Sequence, residues 1–296
     1  MKIIHVEAST YCNARCPLCP RSLYGYKVEG VYPELHLSVE KFRECLSQFP
    51  DREYVYFNGN LGDPMMNPNI FELTKLTDCA TSITTNGSIG TKATWQSMAK
   101  NEVEVTFSID GLEDTNHLYR QDVEWDKLMD RVKWFIDAGG RATWKFITFQ
   151  HNAHQHEQAE HLSKQLGFKN FLLENHGRDY GPALDRDGKI THWILPAEGS
   201  KQPTSYDVAA GIERYKQTHE NFFPDEKLYE IDCEHETKAT VYIDARGRIG
   251  PCCYQGFDLP SLPFVELKDF PKIKESWQTK KCNYVCAMSC GKVLKN

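Results

Sequence analysis

From residue 3 to about residue 175, short runs rich in β-branched and aromatic residues alternate with longer stretches whose apolar positions recur at helical spacing. The short runs predict strands at Ile3–Glu7, Tyr54–Asn58, Ser82–Thr85, Glu104–Ile109, Thr143–Phe149 and Asn170–Glu174. The stretches between them predict helices at Ser38–Phe49, Pro68–Thr77, Lys92–Asn101, Asp126–Ala138 and Gln155–Leu166. Ser38 and Asp126 suit helix starts, where a side-chain oxygen accepts from a free amide of the first turn, and Gly139-Gly140 and Gly167 suit helix ends. Strand and helix in alternation imply parallel strands joined by helical crossovers. The six units are fewer than the eight of a closed barrel. The expected fold is therefore α/β, a partial (β/α)6 TIM-like barrel that takes ligands at the C-terminal edge of its strands.

The rhythm breaks after Asn175. Gly177, Gly181-Pro182, Asp187-Gly188, Pro196, Gly199 and Pro203 read as turns and loops, with one helix near Tyr206–Glu220, and imply a connection laid over the barrel mouth. A small cysteine-rich module follows, with a hairpin of Thr240–Ile243 and Arg248–Cys252 turning at Asp244-Ala245-Arg246-Gly247. The expected division is a barrel over 1–175, the connection over 176–231 and the cysteine-rich module over 232–296. There is no internal repeat.

Composition narrows the function. The chain has 296 residues, 40% hydrophobic and 26% charged, enough for a large core. Its net charge of −6, without blocks of like charge, offers no surface for nucleic acid or an anionic membrane. The apolar run at the N-terminus is too short for a signal peptide or a membrane span, so a cytoplasmic protein is expected. Eleven cysteines in that compartment point to metal or redox chemistry rather than disulfides. Three lie near the N-terminus and six from Cys233 onward, while Cys45 and Cys79 read as buried small hydrophobes.

In the loop after the first strand, Tyr11-Cys12-Asn13-Ala14-Arg15-Cys16-Pro17-Leu18-Cys19 places three thiols where one metal centre can gather them. Soft thiolates suit zinc or an iron–sulfur centre, and three protein ligands leave one metal position open for chemistry. The loop resembles that of the radical S-adenosylmethionine (radical SAM) superfamily, whose mark is C-x3-C-x2-C in the first loop of a partial barrel. Leu18 stands where that family often has an aromatic residue. The resemblance implies a 4Fe–4S cluster on Cys12, Cys16 and Cys19, with its open iron binding S-adenosylmethionine. It also implies a reductant such as flavodoxin or ferredoxin, and a 5′-deoxyadenosyl radical that abstracts hydrogen from a substrate.

The later strand ends extend the resemblance. Asn58-Gly59-Asn60-Leu61-Gly62-Asp63-Pro64 stands where the family has Gly-Gly-Glu-Pro, with Leu61 for the first glycine and Asp63 for the glutamate. In the family the carbonyls of that run bind the methionyl ammonium. Thr84-Thr85-Asn86-Gly87 and Ser108-Ile109-Asp110-Gly111, with Arg120 beyond, end the third and fourth strands. By the resemblance, Gly62, Asp63, Asn86, Ser108, Asp110, Arg120 and Gln150 are the candidate cosubstrate contacts, short polar groups and one guanidinium suited to ribose hydroxyls and a carboxylate. Asn152 is a weaker candidate, and His151, His154 and His156 read as an exposed polar loop.

In the distal region, Cys233, Gly247 and Cys252 fit C-x(9–15)-G-x4-C, which resembles the SPASM or shorter twitch extension. This implies one auxiliary 4Fe–4S cluster, held by Cys233, Cys252 and two of Cys282, Cys286 and Cys290; four thiolates would equally suit structural zinc. Relatives of this kind modify peptides or oxidise small molecules. With the cysteine loop beginning at residue 12, no leader-binding domain is expected ahead of the barrel, which favours a small molecule or a separately recruited peptide. Arg178, Asp179 and Arg186 are candidate substrate contacts. A rival of another class is a non-catalytic iron–sulfur or zinc protein that uses the barrel as a binding module.

Overall fold

The computed structural model describes residues 1–174, 180–197, 205–220, 229–230, 239–250, 253, 268 and 281–282. The first part is a run of β1 (Ile3–Val6), α1 (Val39–Leu46), β2 (Tyr54–Asn58), α2 (Ile70–Lys75), β3 (Ala80–Thr85), α3 (Lys92–Lys100) and β4 (Glu104–Ser108). It continues with α4 (Asn116–Tyr119), α5 (Trp125–Ile136), β5 (Ala142–Ile147), α6 (His156–Leu166) and β6 (Asn170–Glu174). Strands β1 to β6 pair in sequence order, each parallel to the next. This is the partial TIM-like architecture that the alternating pattern implies.

Side chains alternate across each strand and so explain both faces of the sheet. Ile4, Val6, Val55, Phe57, Ile83, Val105, Phe107, Trp144 and Phe146 are buried beneath the helices. The intervening residues are polar and line the barrel interior: His5 is buried, and Tyr56, Ser82, Thr84, Thr106 and Lys145 are half-buried. Trp95 of α3 and Phe135 of α5 pack with Phe107, fixing two helices to the sheet. Local signals act as expected at several ends. Ser38 Oγ accepts from Lys41 N–H at 3.1 Å, and Gly167 closes α6 with φ +89°. Helix α5 begins one residue earlier than Asp126, at Trp125, and α2 is shorter than its predicted span.

Beyond β6 the chain forms β7 (Gly181–Leu184), β8 (Ile190–Ile194), α7 (Val208–Glu220), β9 (Tyr229–Glu230), β10 (Thr240–Ile243), β11 (Ile249–Gly250) and β12 (Lys281–Cys282). Strands β7 and β8 are an antiparallel hairpin where loops were expected. Pro182 and the Asp-Gly turn are breakers by composition, yet here the turn joins two strands, with Asp185 Oδ1 accepting from the amides of Asp187 and Lys189. Leu23, Val28 and Leu184, with Val208, Ile212 and Tyr215, form a satellite core that seats the hairpin and α7 on the segment after the cysteine loop.

The expected β10–β11 hairpin is present, with Asp244 accepting from Arg246 and Arg248 N–H and Gly247 at φ +76°. It is hydrogen-bonded into the barrel: β10 runs parallel to β1, giving the order β11-β10-β1-β2-β3-β4-β5-β6. Val241 and Ile243 join the core, as Ile4 and Val6 do beside them. Separately, β12 pairs antiparallel with β9, setting Cys282 opposite Tyr229. No helix among the described residues is long and apolar enough to cross a membrane.

Candidate active site

The three N-terminal cysteines lie on the loop that leaves β1 at the C-terminal edge of the sheet. Its backbone is held from several sides. Asp63 N–H donates to Tyr11 O at 2.8 Å, Arg21 Nε to Thr10 O at 2.9 Å, and Arg15 N–H to Gln121 O at 3.1 Å. The Arg15 side chain spans from Asp122, at 2.6 Å, to the carbonyls of Gly25 and Leu184. Gly62 packs so closely that a Cβ there would lie 2.1 Å from Ser9 O, so its glycine is a requirement of the loop's seat.

Two hydrogen-bond chains end on cysteine sulfur. Buried Asp63 accepts from Met65 N–H, Thr85 Oγ1 and Asn86 N–H, and Asn86 Nδ2 approaches Cys12 Sγ at 3.7 Å and Asn13 Oδ1 at 3.1 Å. Fully buried Asp110 accepts from Ile147 N–H and from Arg120 Nε, both at 2.6 Å, while Arg120 Nη1 lies 3.6 Å from Cys16 Sγ. The ends of β2, β3 and β4 are thereby brought to the cysteines.

Electrostatics fit an iron–sulfur centre. Burial pushes the Cys12 thiol well above its ordinary range, and Asp63, Cys16 and Cys19 push it further. Burial likewise raises Cys16 to about 11, against the favourable charge of Arg120. Thiols that resist ionisation together are ionised by iron, and the N–H donors of Asn86 and Arg120 suit the resulting charge on sulfur. Among the described residues no group of three or more His, Cys, Asp or Glu is arranged around a single metal ion. A cubane places each thiolate on a different iron and needs the wider spacing.

The other predicted contacts divide. Ser108 is buried at the end of β4, and among the described residues its hydroxyl has no hydrogen-bond partner. Gln150 is exposed, and among the described residues it engages only by its backbone N–H, which donates to Leu195 O at 3.0 Å. Asn152 is a buried brace, donating to Asp110 O and Ile147 O. Of the three histidines only His154 is exposed. His151 stacks on Phe149, and burial, then His192, His117 and His154, lowers it to about 4; His156 bonds Thr148. Arg186 pairs with Asp122 at 2.9 Å. Arg178, Asp179, Cys233, Cys252, Cys286 and Cys290 lie outside the described residues, and of Cys282 only the backbone is described.

Sequence reasoning missed Glu7. It is buried at the end of β1, and accepts from the amides of Asn60 at 2.7 Å, Leu61 at 3.3 Å and Gly62 at 3.2 Å, and from Tyr242 OH at 2.7 Å. Its one local signal is a carboxylate directly after an apolar strand.

The sequence model of the Radical SAM superfamily matches residues 6–163. The chain belongs to the radical SAM superfamily. It is therefore an enzyme of a family whose chemistry rests on a 4Fe–4S cluster and S-adenosylmethionine. It is 28% identical over 116 residues to a tungsten-containing aldehyde ferredoxin oxidoreductase cofactor-modifying protein of Pyrococcus furiosus, covering 38% of this chain and about a third (32%) of that relative. Among solved structures, it is similar to Streptococcus suis SuiB bound to S-adenosylmethionine, with TM-score 0.57, 17% identity, and 97% of this chain and 65% of that one covered. It is also similar to anSMEcpe with bound AdoMet, with TM-score 0.60, 16% identity, and 94% and 81% covered. Both are also solved with peptides, SuiB with precursor peptide SuiA and anSMEcpe with Cp18Cys peptide. At these identities the likeness is one of radical SAM fold.

Proposed function

We propose that this radical SAM enzyme binds its 4Fe–4S cluster on Cys12, Cys16 and Cys19 and modifies or oxidises a small molecule, supported by one auxiliary 4Fe–4S cluster. The observation that carries the site is the pair of chains Asp63–Asn86–Cys12 and Asp110–Arg120–Cys16. When bound, the cluster supplies the electron that splits S-adenosylmethionine into methionine and the 5′-deoxyadenosyl radical, which takes a hydrogen atom from the substrate. Around it the protein binds and orients. Asn86, Asp110 and Arg120 hold the cysteines and the adjoining strand ends, Arg120 offers a carboxylate its remaining N–H groups, and Ser108 offers a hydroxyl to the ribose. Gly62 and Asp63 act by shaping the ammonium loop, and Gln150 contacts from its rim.

The auxiliary cluster is assigned to Cys233, Cys252 and two of Cys282, Cys286 and Cys290, in a unit over 232–296 that follows the barrel, 1–175, and the connection, 176–231. The β9–β12 pair supports it by setting Cys282 opposite Tyr229, close in sequence to Cys233. Flavodoxin or ferredoxin is the assigned electron donor, and the cytoplasm the compartment. The peptides bound in SuiB and anSMEcpe favour a second reading, in which the substrate is a peptide.

Anaerobic reconstitution with iron and sulfide, followed by dithionite and S-adenosylmethionine, is expected to yield 5′-deoxyadenosine by mass spectrometry. None from iron-loaded protein overturns the reading. In the Cys12/Cys16/Cys19→Ala protein about one cluster should remain; zinc, or no iron, refutes the auxiliary cluster.

A further inference from the structure

The loop after β2 is wound around one carboxylate. Glu7 Oε2 accepts from Asn60 N–H, Leu61 N–H and Tyr242 OH, and Oε1 from Gly62 N–H. Four donors thus meet this one side chain, three on Oε2 and one on Oε1. The winding is tight: a Cβ on Gly59 would lie 1.9 Å from Gly62 O and 2.7 Å from Glu7 Oε1. Successive amides converging on an anion form a nest.

The nest has an opposite face. Amides of residues 60, 61 and 62 share their peptide planes with the carbonyls of Gly59, Asn60 and Leu61, and in a trans peptide the C=O points away from the N–H. Among the described residues, nothing donates to those three carbonyls. Three consecutive acceptors without donors, at the edge of the sheet beside the cysteine loop, fit a cation with several N–H groups.

The geometry points to Glu7 as the positioning residue of the cosubstrate site: by gathering three amides it turns the carbonyls of Gly59, Asn60 and Leu61 outward for the methionyl ammonium, and it sets a buried acid behind them. This rests on the reading of the loop as the ammonium contact. Two further contacts tie the device to later parts of the chain. Tyr242 comes from β10, and Asn60 Nδ2 donates to Cys253 O at 2.8 Å, so the loop that faces the cosubstrate is held by residues beyond the barrel's first six strands.

The test compares equilibrium binding of S-adenosylmethionine with that of its analogue bearing a hydroxyl in place of the amino group, using iron-loaded protein. The native protein is expected to prefer the amino compound by about tenfold or more. In Glu7→Gln, whose amide NH2 opposes the loop's donors, the preference is expected to fall below about threefold in protein that remains folded at the assay temperature and keeps its iron. Tyr242→Phe, which removes one donor and leaves the carboxylate, is expected to lower it by about two- to threefold and carries the test if the Gln protein does not fold. Unchanged preference in the folded variants, or a loss that appears only together with iron loss, overturns the role of Glu7. No preference in the native protein overturns the loop reading instead.

Discussion

Arg120 stands between two buried partners, with Nε on Asp110 and Nη1 toward Cys16 Sγ. Arg120→Lys keeps the charge but loses the planar fork that serves both at once. With fewer donors to sulfur, the reduced, more negative cluster is less stabilised, and its reduction potential is expected to fall by on the order of tens of millivolts in an EPR-monitored titration. Glu7 yields a prediction with a defined sign. Burial is the largest influence and raises it from 4.5 to about 7, against the lowering effect of its four donors. The folded state therefore holds a proton that the unfolded chain has released between those values, and stability from this group declines as pH rises from about 4.5 to about 7. Glu7→Gln lacks that titration. Its melting temperature should lie furthest below the native protein's at pH 5.5 and closer to it at pH 8; a gap that widens toward pH 8 would refute the shift. The two residues also differ in legibility. Cys12, Cys16 and Cys19 declare themselves by spacing, because one loop must bring them together. Glu7 has no such spacing, since its partners Asn60 and Tyr242 are distant in sequence and meet it only through strand pairing.

At the scale of elements, the strands β2 to β5 were legible because buried and less buried residues alternate along them, β1 and β6 because they are short apolar-rich runs, and the helices because capping residues and glycines mark their ends. The β7–β8 hairpin was not: its strands are short, Pro182 argues against a strand, and much of its support comes from residues near 23–28 rather than from its own pattern. That support has a specific fastening. Asp122 receives Arg15 from the cysteine loop and Arg186 from the hairpin turn, at 2.6 and 2.9 Å, and both arginines hold its carboxyl below its ordinary range despite partial burial. Asp122→Asn keeps a residue suited to φ +67° but removes the charge shared by both arginines. Because the pairs are partly solvated, the expected loss of global stability is only about 1 kcal/mol. The local effect should be clearer: faster amide exchange over 180–197 and faster loss of iron under chelator, read by mass spectrometry and absorbance. Unchanged exchange there would show that the satellite core alone seats the hairpin.

At the scale of the whole molecule, the local pattern indicates a barrel ending near residue 175, followed by a separate cysteine-rich module. The topology links these regions more closely, because β1 is hydrogen-bonded to β2 on one side and to β10 on the other. Parallel pairing between strands so far apart leaves no local trace: β10 is a short apolar run next to a turn, and nothing in its own residues says which edge it will join. The consequence is physical. A chain ending at 175 would leave β1 as an unpaired edge, expose the side of Ile4 and Val6 now covered by Val241 and Ile243, and deprive Glu7 of its Tyr242 donor. The strand that carries the cysteine loop would become the least protected in the sheet. Expressed as 1–175, the protein is therefore expected to aggregate or to melt roughly 10 °C or more below the full chain. A chain ending at 250 keeps β10 and β11 and should retain slow amide exchange in β1 and bind iron on Cys12, Cys16 and Cys19. If 1–175 instead matches the full chain in melting temperature and iron content, β10 is dispensable to the barrel, and the link from Tyr242 to the cosubstrate loop carries no weight in the folded enzyme.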